Sequence, residues 1–283
     1  MKVDAHVHLT PPDLIANYTK VMEKEPYFKW LSESPQNKFV TADELICHMK
    51  EVGVTHSVVF GFCFNDMGLC KYVNDYVIDQ IQKYPSLIGF GAVNPKSKEV
   101  AYEIERCYSK GLRGIGEIFP EGQGIDLSDL SHTKDMANCC EKYNMPILIH
   151  TNELIGHSYI GKTKTPLTQV EGFINNFSDQ PIILAHFGGG IFIYELMKEV
   201  RSSFKNVYYD TSASLFLYDK RIYKTAKEIG IIDKIVFGSD FPLVSPSRYD
   251  KLIEESGLSK QEVDKIYYLN IKQLFDRCDI ELK

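Results

Sequence analysis

The chain has 283 residues, 44% of them hydrophobic and 25% charged, with a net charge of −6. A chain of this size and composition buries a large core, and either one large α/β domain or two small ones would fit it. The acidic balance excludes a broad electrostatic footprint for nucleic acid or for an anionic membrane.

Short apolar runs alternate with helical patterns along the chain. The first run is Val3–His8. Side chains of a strand alternate between its faces, so Asp4, His6 and His8 are expected on one face and Val3, Ala5 and Val7 on the other. The stretch 10–40 is long for a loop, holds Pro11-Pro12, Trp30 and many aromatics, and is expected to be an inserted lid. Thr41-Ala42-Asp43-Glu44 is a capping box that opens a helix ending at Gly53. Strand candidates follow at Ser57–Gly61, Leu87–Ala92, Gly114–Ile118, Ile147–His150, Ile182–His186, Val207–Asp210 and Ile235–Phe237. Helices are expected near Leu69–Tyr84, Glu99–Lys110, His132–Tyr143, Pro166–Phe177, Phe192–Phe204, Lys220–Ile229 and Ser247–Glu255. A last helical region opens at Ser259-x-x-Glu262 and runs towards Phe275.

The strands are apolar on both faces, as buried parallel strands are. Eight of them, each followed by a helix, predict a (β/α)8 TIM barrel, with residues 1–283 as one domain. An open doubly wound sheet would usually carry a Gly-rich turn after its first strand, and Leu9-Thr10-Pro11-Pro12 is unlike one. The seven cysteines are odd in number and contain no C-x-x-C, so reduced thiols are expected. A first strand that begins at Val3 argues against a signal peptide. The longest apolar stretch, Pro181–Met197, is too short and too polar to span a bilayer. A cytoplasmic location is the resulting expectation.

In such a barrel, chemistry sits at the carboxyl ends of the strands. Strand one closes with His6 and His8, strand four with Glu117, strand five with His150, strand six with His186 and strand eight with Asp240. A lone histidine is more often a hydrogen-bonded structural group, and His48, His56, His132 and His157 read that way. Glu117 alone could pair with Arg113, and Asp240 alone could be a turn residue before Phe241-Pro242. Four of the eight histidines at strand ends, joined by two carboxylates, form a metal-binding pattern instead. Imidazole nitrogen and carboxylate oxygen suit a borderline divalent ion, Zn²⁺ first, with Mn²⁺, Fe²⁺ and Co²⁺ as alternatives. The lack of a thiolate argues against a purely structural zinc. Phe62, Asn94, Asn152 and Ser212 follow other strand ends and are candidates for substrate contact; each could equally be a cap or turn residue.

Asp4-Ala5-His6-Val7-His8, Gly238-Ser239-Asp240-Phe241-Pro242 and Asn270–Phe275 together resemble the amidohydrolase superfamily of metal-dependent hydrolases. The details are similar to its amidohydrolase-related branch, which includes aminocarboxymuconate semialdehyde decarboxylase. The resemblance implies that His6, His8 and His150 bind the metal together with Asp240, and that Asp240 is also the general base. It implies that His186 either holds a second ion or stands beside the first. Many binuclear members have a carboxylated lysine on strand four, but Gly114–Ile118 offers no lysine. Glu117 resembles instead the bridging glutamate of the TatD-like branch. Six ligands would then hold two ions, and four would hold one. The activity implied is hydrolysis of an ester, lactone or amide of a small molecule. The alternative is non-oxidative decarboxylation of a small aromatic or unsaturated acid by the same ligands, a one-metal design. A TatD-like nuclease is a third reading, which the acidic charge disfavours, and a barrel that binds metal without turnover is the fourth. A small-molecule substrate is expected, with no nucleic-acid or membrane partner, and a homodimer is left open.

Overall fold

The computed structural model describes residues 1–35 and 39–282. Its eight parallel strands lie side by side in chain order. They are β1 Val3–His8, β2 His56–Phe60, β3 Leu87–Gly91, β4 Gly114–Ile118, β5 Ile147–Ile149, β6 Ile182–Leu184, β7 Val207–Asp210 and β8 Ile235–Val236. The residues after β8 close the ring on β1. The Ala5 N–H donates to the Phe237 carbonyl at 2.7 Å, the His8 N–H to that of Phe241 at 2.9 Å, and the Asp240 N–H to that of His6 at 3.0 Å. This is the expected (β/α)8 barrel.

Burial on both strand faces divides the core into layers. Val3, Ala5, Val58, Phe60, Ile88, Phe90, Ile183 and Val236 pack together inside the barrel. Ile271, Leu274 and Phe275 of the C-terminal helix Asn270–Arg277 join that cluster. Asn270 donates to the carbonyls of Ile232 and Ile235, which places this helix at the end where β8 begins. The barrel is thereby plugged at its amino end, and its other end is left for the site. Ile147, Ile149, Ile182, Leu184, Val207 and Tyr209 pack outwards against the surrounding helices.

Those helices include α1 Pro12–Met22, α2 Pro26–Ser32, α3 Ala42–Val52, α4 Met67–Lys83, α5 Val100–Ser109, α6 Leu130–Lys142 and α7 Leu167–Asn176. Local chemistry sets their ends. Thr41 and Glu44 form the reciprocal capping box of α3, and Gly53 ends that helix at a left-handed φ of 72°. Asp66 and Asp129 accept backbone N–H groups at the starts of α4 and α6. Cys70, Cys107, Cys140 and Cys278 are buried thiols, whereas Cys47 is exposed.

Two expectations need correction, and the stretch 10–40, long for a loop, is found to hold α1 and α2, with residues 36–38 outside the described residues. Pro12 and Pro26 open these helices, where a missing N–H costs nothing. The expected helix Phe192–Phe204 is split into a 3-10 turn, Ile191–Leu196, and a short helix, Lys198–Ser203. Asp4 does not share a face with His6 and His8. The β1–β2 register slips between Asp4 and Val7; Val3 and Ala5 face the interior, and Val7 faces the outer layer. One step of alternation is lost, as at a bulge, and the slip turns His6 inwards. Asp4 is left accepting the N–H and Oγ–H of Ser239, at 2.9 and 2.5 Å.

A second slip lies in β4, between Ile115 and Ile118, where Gly116 and Glu117 fall. Gly116 has φ +136°, and a Cβ there would stand 2.4 Å from the Leu148 carbonyl oxygen. Gly116→Ala is therefore expected to cost about 2 kcal/mol or more, through both the strained φ and the clash. A thermal melt beside the parent protein would read this as a drop of several degrees.

Candidate metal centre

His6 and His8 project from β1, Glu117 from β4, and His150, His186 and Asp240 from the first turns after β5, β6 and β8. All six meet at the open end of the barrel. His6 Nε2 lies 3.3 Å from His8 Nε2, 3.4 Å from Glu117 Oε2 and 3.6 Å from Asp240 Oδ1. His8 Nε2 lies 3.4 Å from both carboxylates. On the other side, His150 Nδ1 lies 3.0 Å from Glu117 Oε1 and 3.2 Å from His186 Nε2, and His186 Nε2 is 3.7 Å from Glu117 Oε1. The two oxygens of Glu117 therefore face two different donor groups. One is His6, His8 and Asp240; the other is His150 and His186.

These separations fit the donor shell of a cation. With metal–donor bonds of about 2.1 Å, the edge of a tetrahedron is roughly 3.4 Å. Imidazole tautomers are set to match. His6 Nδ1 is 2.8 Å from Asp210 Oδ2 and donates to it, so its Nε2 lone pair faces the site. His186 Nδ1 lies 2.9 Å from the Ser212 carbonyl oxygen, which likewise frees its Nε2. Asp210 does more than hold His6. Its Oδ1 accepts the backbone N–H of His186 at 3.0 Å and that of Ser212 at 2.9 Å, and also the Ser212 hydroxyl. One buried carboxylate thus positions a histidine in each donor group.

The backbone is strained where the ligand candidates sit. His186 and Asp240 have φ of 58° and 63°, a region costing of order 1–3 kcal/mol for non-glycine residues. The hydrogen bonds from the His186 N–H to Asp210 and from the Asp240 N–H to the His6 carbonyl hold them there. Gly238 lets β8 pass close by, since a Cβ would stand 2.9 Å from His6 Cβ and 3.2 Å from Asp210 Cβ.

The charges are strongly coupled. Burial pushes the Glu117 carboxyl up, but His6, with hydrogen bonds from His150, His6 and His8, holds it well below the usual carboxylate range. Burial likewise pushes Asp240 up, and His8 and the other imidazoles bring it down to about 2. Burial opposes a charge on His6, yet Glu117 and Asp210 raise its pKa well above the usual value, and His8 is raised by Asp240 and Glu117. His150 is lowered by its burial.

His8, Glu117, His150, His186 and Asp240 floor a cavity of about 530 Å³, with His6 fully buried beside them; its walls include Tyr27, Phe28, Phe62, Phe64, Phe119 and Phe216. Of the expected substrate contacts, Phe62 lines this cavity, with its ring stacked on His8 at 5.1 Å. Asn94, Asn152 and Ser212 do not line it. Asn94 donates to the Asn65 carbonyl, Asn152 is tied to Thr163, and Ser212 to Asp210. Arg113 binds the carbonyls of Tyr108 and Leu112, so it is not the partner of Glu117. Sequence reasoning missed Asp210 and Tyr27. Asp210 closes β7, so the strand-end rule that selected the others marks it too. Tyr27 lies in the stretch 10–40, away from any strand end, and carried no such signal.

A model of the amidohydrolase family matches residues 3–277, and the chain belongs to that family of metal-dependent enzymes. A search of curated proteins finds no match. Solved structures share the fold at low identity. The 5-carboxyvanillate decarboxylase of Novosphingobium aromaticivorans, complexed with manganese and 4-hydroxy-3-methoxy-5-nitrobenzoic acid, is 16% identical with a TM-score of 0.75, over 98% of this chain and 96% of that one. The 2,6-dihydroxybenzoate decarboxylase of Rhizobium is 16% identical with a TM-score of 0.70, over 97% and 98%. A probable 2-pyrone-4,6-dicarboxylic acid hydrolase of Acinetobacter baumannii, with citric acid bound, is 19% identical with a TM-score of 0.65, over 97% and 99%. No helix among the described residues is long and apolar enough to cross a membrane.

Two outcomes are expected of the site. Asp210→Ala leaves both His6 and His186 unheld and should weaken divalent-metal affinity roughly 10- to 100-fold. Titration with a chelator would measure it. A cation must also displace protons from His6 and His8, whose pKa values are raised. A protonated imidazole cannot ligate, so affinity should fall as the pH drops from about 8 to about 6, by roughly tenfold per unit for each proton displaced. Calorimetry in buffers of different ionisation enthalpy would count those protons.

Proposed function

We propose that this protein is a hydrolase that uses two divalent cations to cleave an ester, lactone or amide bond of a small molecule. The observation that carries this reading is the division of the Glu117 carboxylate, with Oε2 towards His6, His8 and Asp240 and Oε1 towards His150 and His186. His6, His8 and Asp240 would hold one ion, His150 and His186 the other, and Glu117 would bridge them. Zinc suits the nitrogen and oxygen donor set best among borderline ions. When bound, such ions supply Lewis acidity and favour deprotonation of water at neutral pH.

The residues of the chain do the rest. Asp240, held ionised with a pKa of about 2, is a proton acceptor at neutral pH. It takes a proton from the attacking water as the new C–O bond forms, and returns it to the departing oxygen or nitrogen as the scissile bond breaks. His186 is fixed by Ser212 and Asp210 with its Nε2 towards the site. That orientation keeps its lone pair available for the ion it would share with His150. Aromatic walls exclude water and receive an apolar acyl body. We read residues 1–283 as one catalytic barrel with the segment 10–40 as its lid. In support, buried Glu25, just before α2, accepts the backbone N–H groups of Asn65 and Asp66 at the barrel mouth.

Decarboxylation is the second reading, favoured by the two decarboxylases that share the fold. Metal analysis separates the two readings. Two ions per chain, falling to one or fewer in Glu117→Gln, are expected for the hydrolase; one ion per chain, unchanged in Glu117→Gln, would overturn the bridge. A screen of esters, lactones, amides and aromatic carboxylates then decides by product. Asp240→Asn should lower the turnover of a hydrolysed substrate by roughly 10²- to 10⁴-fold. Carbon dioxide released from the carboxylates, without ester or amide cleavage, would replace the hydrolase reading.

A further inference from the structure

Tyr27 sits on α2, in the wall of the cavity. Its hydroxyl is buried and has no hydrogen-bond partner among the described residues. Leaving a buried hydroxyl unpaired is costly, of order 1–3 kcal/mol, and such groups in native proteins usually await a partner. Three buried unpartnered polar atoms belong to residues of this cavity: His8 Nδ1, His150 Nε2 and Tyr27 Oη. The first two belong to the metal centre. The third belongs to nothing described so far. The other tyrosine of the wall, Tyr159, already donates to Glu153 at 3.1 Å.

The position of the ring limits what the hydroxyl can do. Tyr27 packs on Phe119 with ring centroids 4.4 Å apart, and Phe119 packs on His150 at 4.0 Å. One aromatic ring therefore stands between Tyr27 and the donor cluster. Tyr27 thus stands one ring out from the donor cluster, at the level of the body of a bound molecule and not of its reacting bond. Phe28 packs edge-on against Phe62 and Phe64 beside this space, at 5.2 and 5.3 Å between centroids, and Phe62 and Phe64 are tilted to each other at 6.4 Å. They offer apolar faces and edges to a flat or greasy group. Burial, with Glu121 and Glu117 nearby, pushes the phenol pKa upwards, so it remains a donor throughout the neutral range.

We propose that Tyr27 is the specificity-determining residue of this cavity, and that its hydroxyl donates a hydrogen bond to an acceptor oxygen at the far end of an aromatic or apolar acyl substrate. The selected substrate class is then an acyl compound with a carbonyl, ether or hydroxyl oxygen about one ring away from the reacting carbon. This inference rests on the reading of the cavity floor as a metal-dependent active site.

The test uses the metal-loaded full chain and needs no turnover. Benzohydroxamate, which binds metal through its hydroxamate, is titrated by calorimetry into the parent protein and into Tyr27→Phe. Its 3-acetyl and 4-acetyl derivatives are titrated in parallel. An acetyl oxygen within reach of Tyr27 is expected to tighten binding to the parent about 3- to 10-fold for one of the two isomers. That gain is expected to vanish in Tyr27→Phe, while the affinity for benzohydroxamate itself, the metal content and the melting temperature stay at the parent values. A gain of equal size in both proteins, no gain for either isomer in the parent, or an equal loss for all three compounds in Tyr27→Phe overturns the proposal. Binding of benzohydroxamate to both proteins keeps the metal-site reading standing in each of those cases. Failure of every hydroxamate to bind either protein overturns both readings.

Discussion

Glu117 is the group on which the open end of this barrel depends. A carboxylate buried to this degree, only 6% exposed, is unfavourable unless donors or opposite charges surround it. Here four imidazoles do so, two against each oxygen. Without Glu117, His150 and His186 would face each other in a buried space with no opposing charge in contact. The cluster of His6, His8 and Asp240 would lose the carboxylate that it shares with them inside the site. The arrangement is stable as protein because its charges alternate, and it suits cations because the same lone pairs converge.

That convergence requires residues from β1, β4, β5, β6 and β8 to stand at one level. Ring closure provides it. Hydrogen bonds from Ala5, His8 and Asp240 lock the end of β8 against β1, and so place Asp240 beside His6 and His8. Asp210 then ties the His6 side of the centre to the His186 side with one carboxylate. The left-handed φ angles at His186 and Asp240 are the local cost of this geometry. The core beneath, plugged by the C-terminal helix, supplies the packing that sustains them.

The chemistry of the cavity changes within the length of a single ring. At its floor are the carboxylates and imidazoles; above them are aromatic walls from the β2–α4 loop, the β4–α6 loop and α2. Such a gradient suits a molecule with one polar reacting group and an apolar body. The helix α2 takes part in building this cavity. Phe28 of α2 packs against Phe62 and Phe64, so the wall is built jointly by α2 and the barrel.

Much of this was legible in the order of residues. An apolar run that ends in a polar residue reports a strand end, and barrel chemistry collects at strand ends, so His6, His8, Glu117, His150, His186 and Asp240 stood out without coordinates. Residue type alone pointed to a nitrogen and oxygen metal site. Alternation along β1, by contrast, put Asp4 on the wrong face. Period-2 patterns assume regular strands, and the slips in β1 and β4 come from pairing with neighbouring strands. The helices α1 and α2 were hidden because prolines that open a helix look the same in sequence as prolines that break one. The amino-acid sequence by itself thus determined the fold class, the family and the inventory of donor residues, because each depends on local patterns repeated along the chain. The tertiary structure alone decided which oxygen of Glu117 faces which histidines, that Asp210 supports both groups, and that Tyr27 overlooks the floor. Those facts depend on distances between residues far apart in sequence, and these are defined only once the ring has closed.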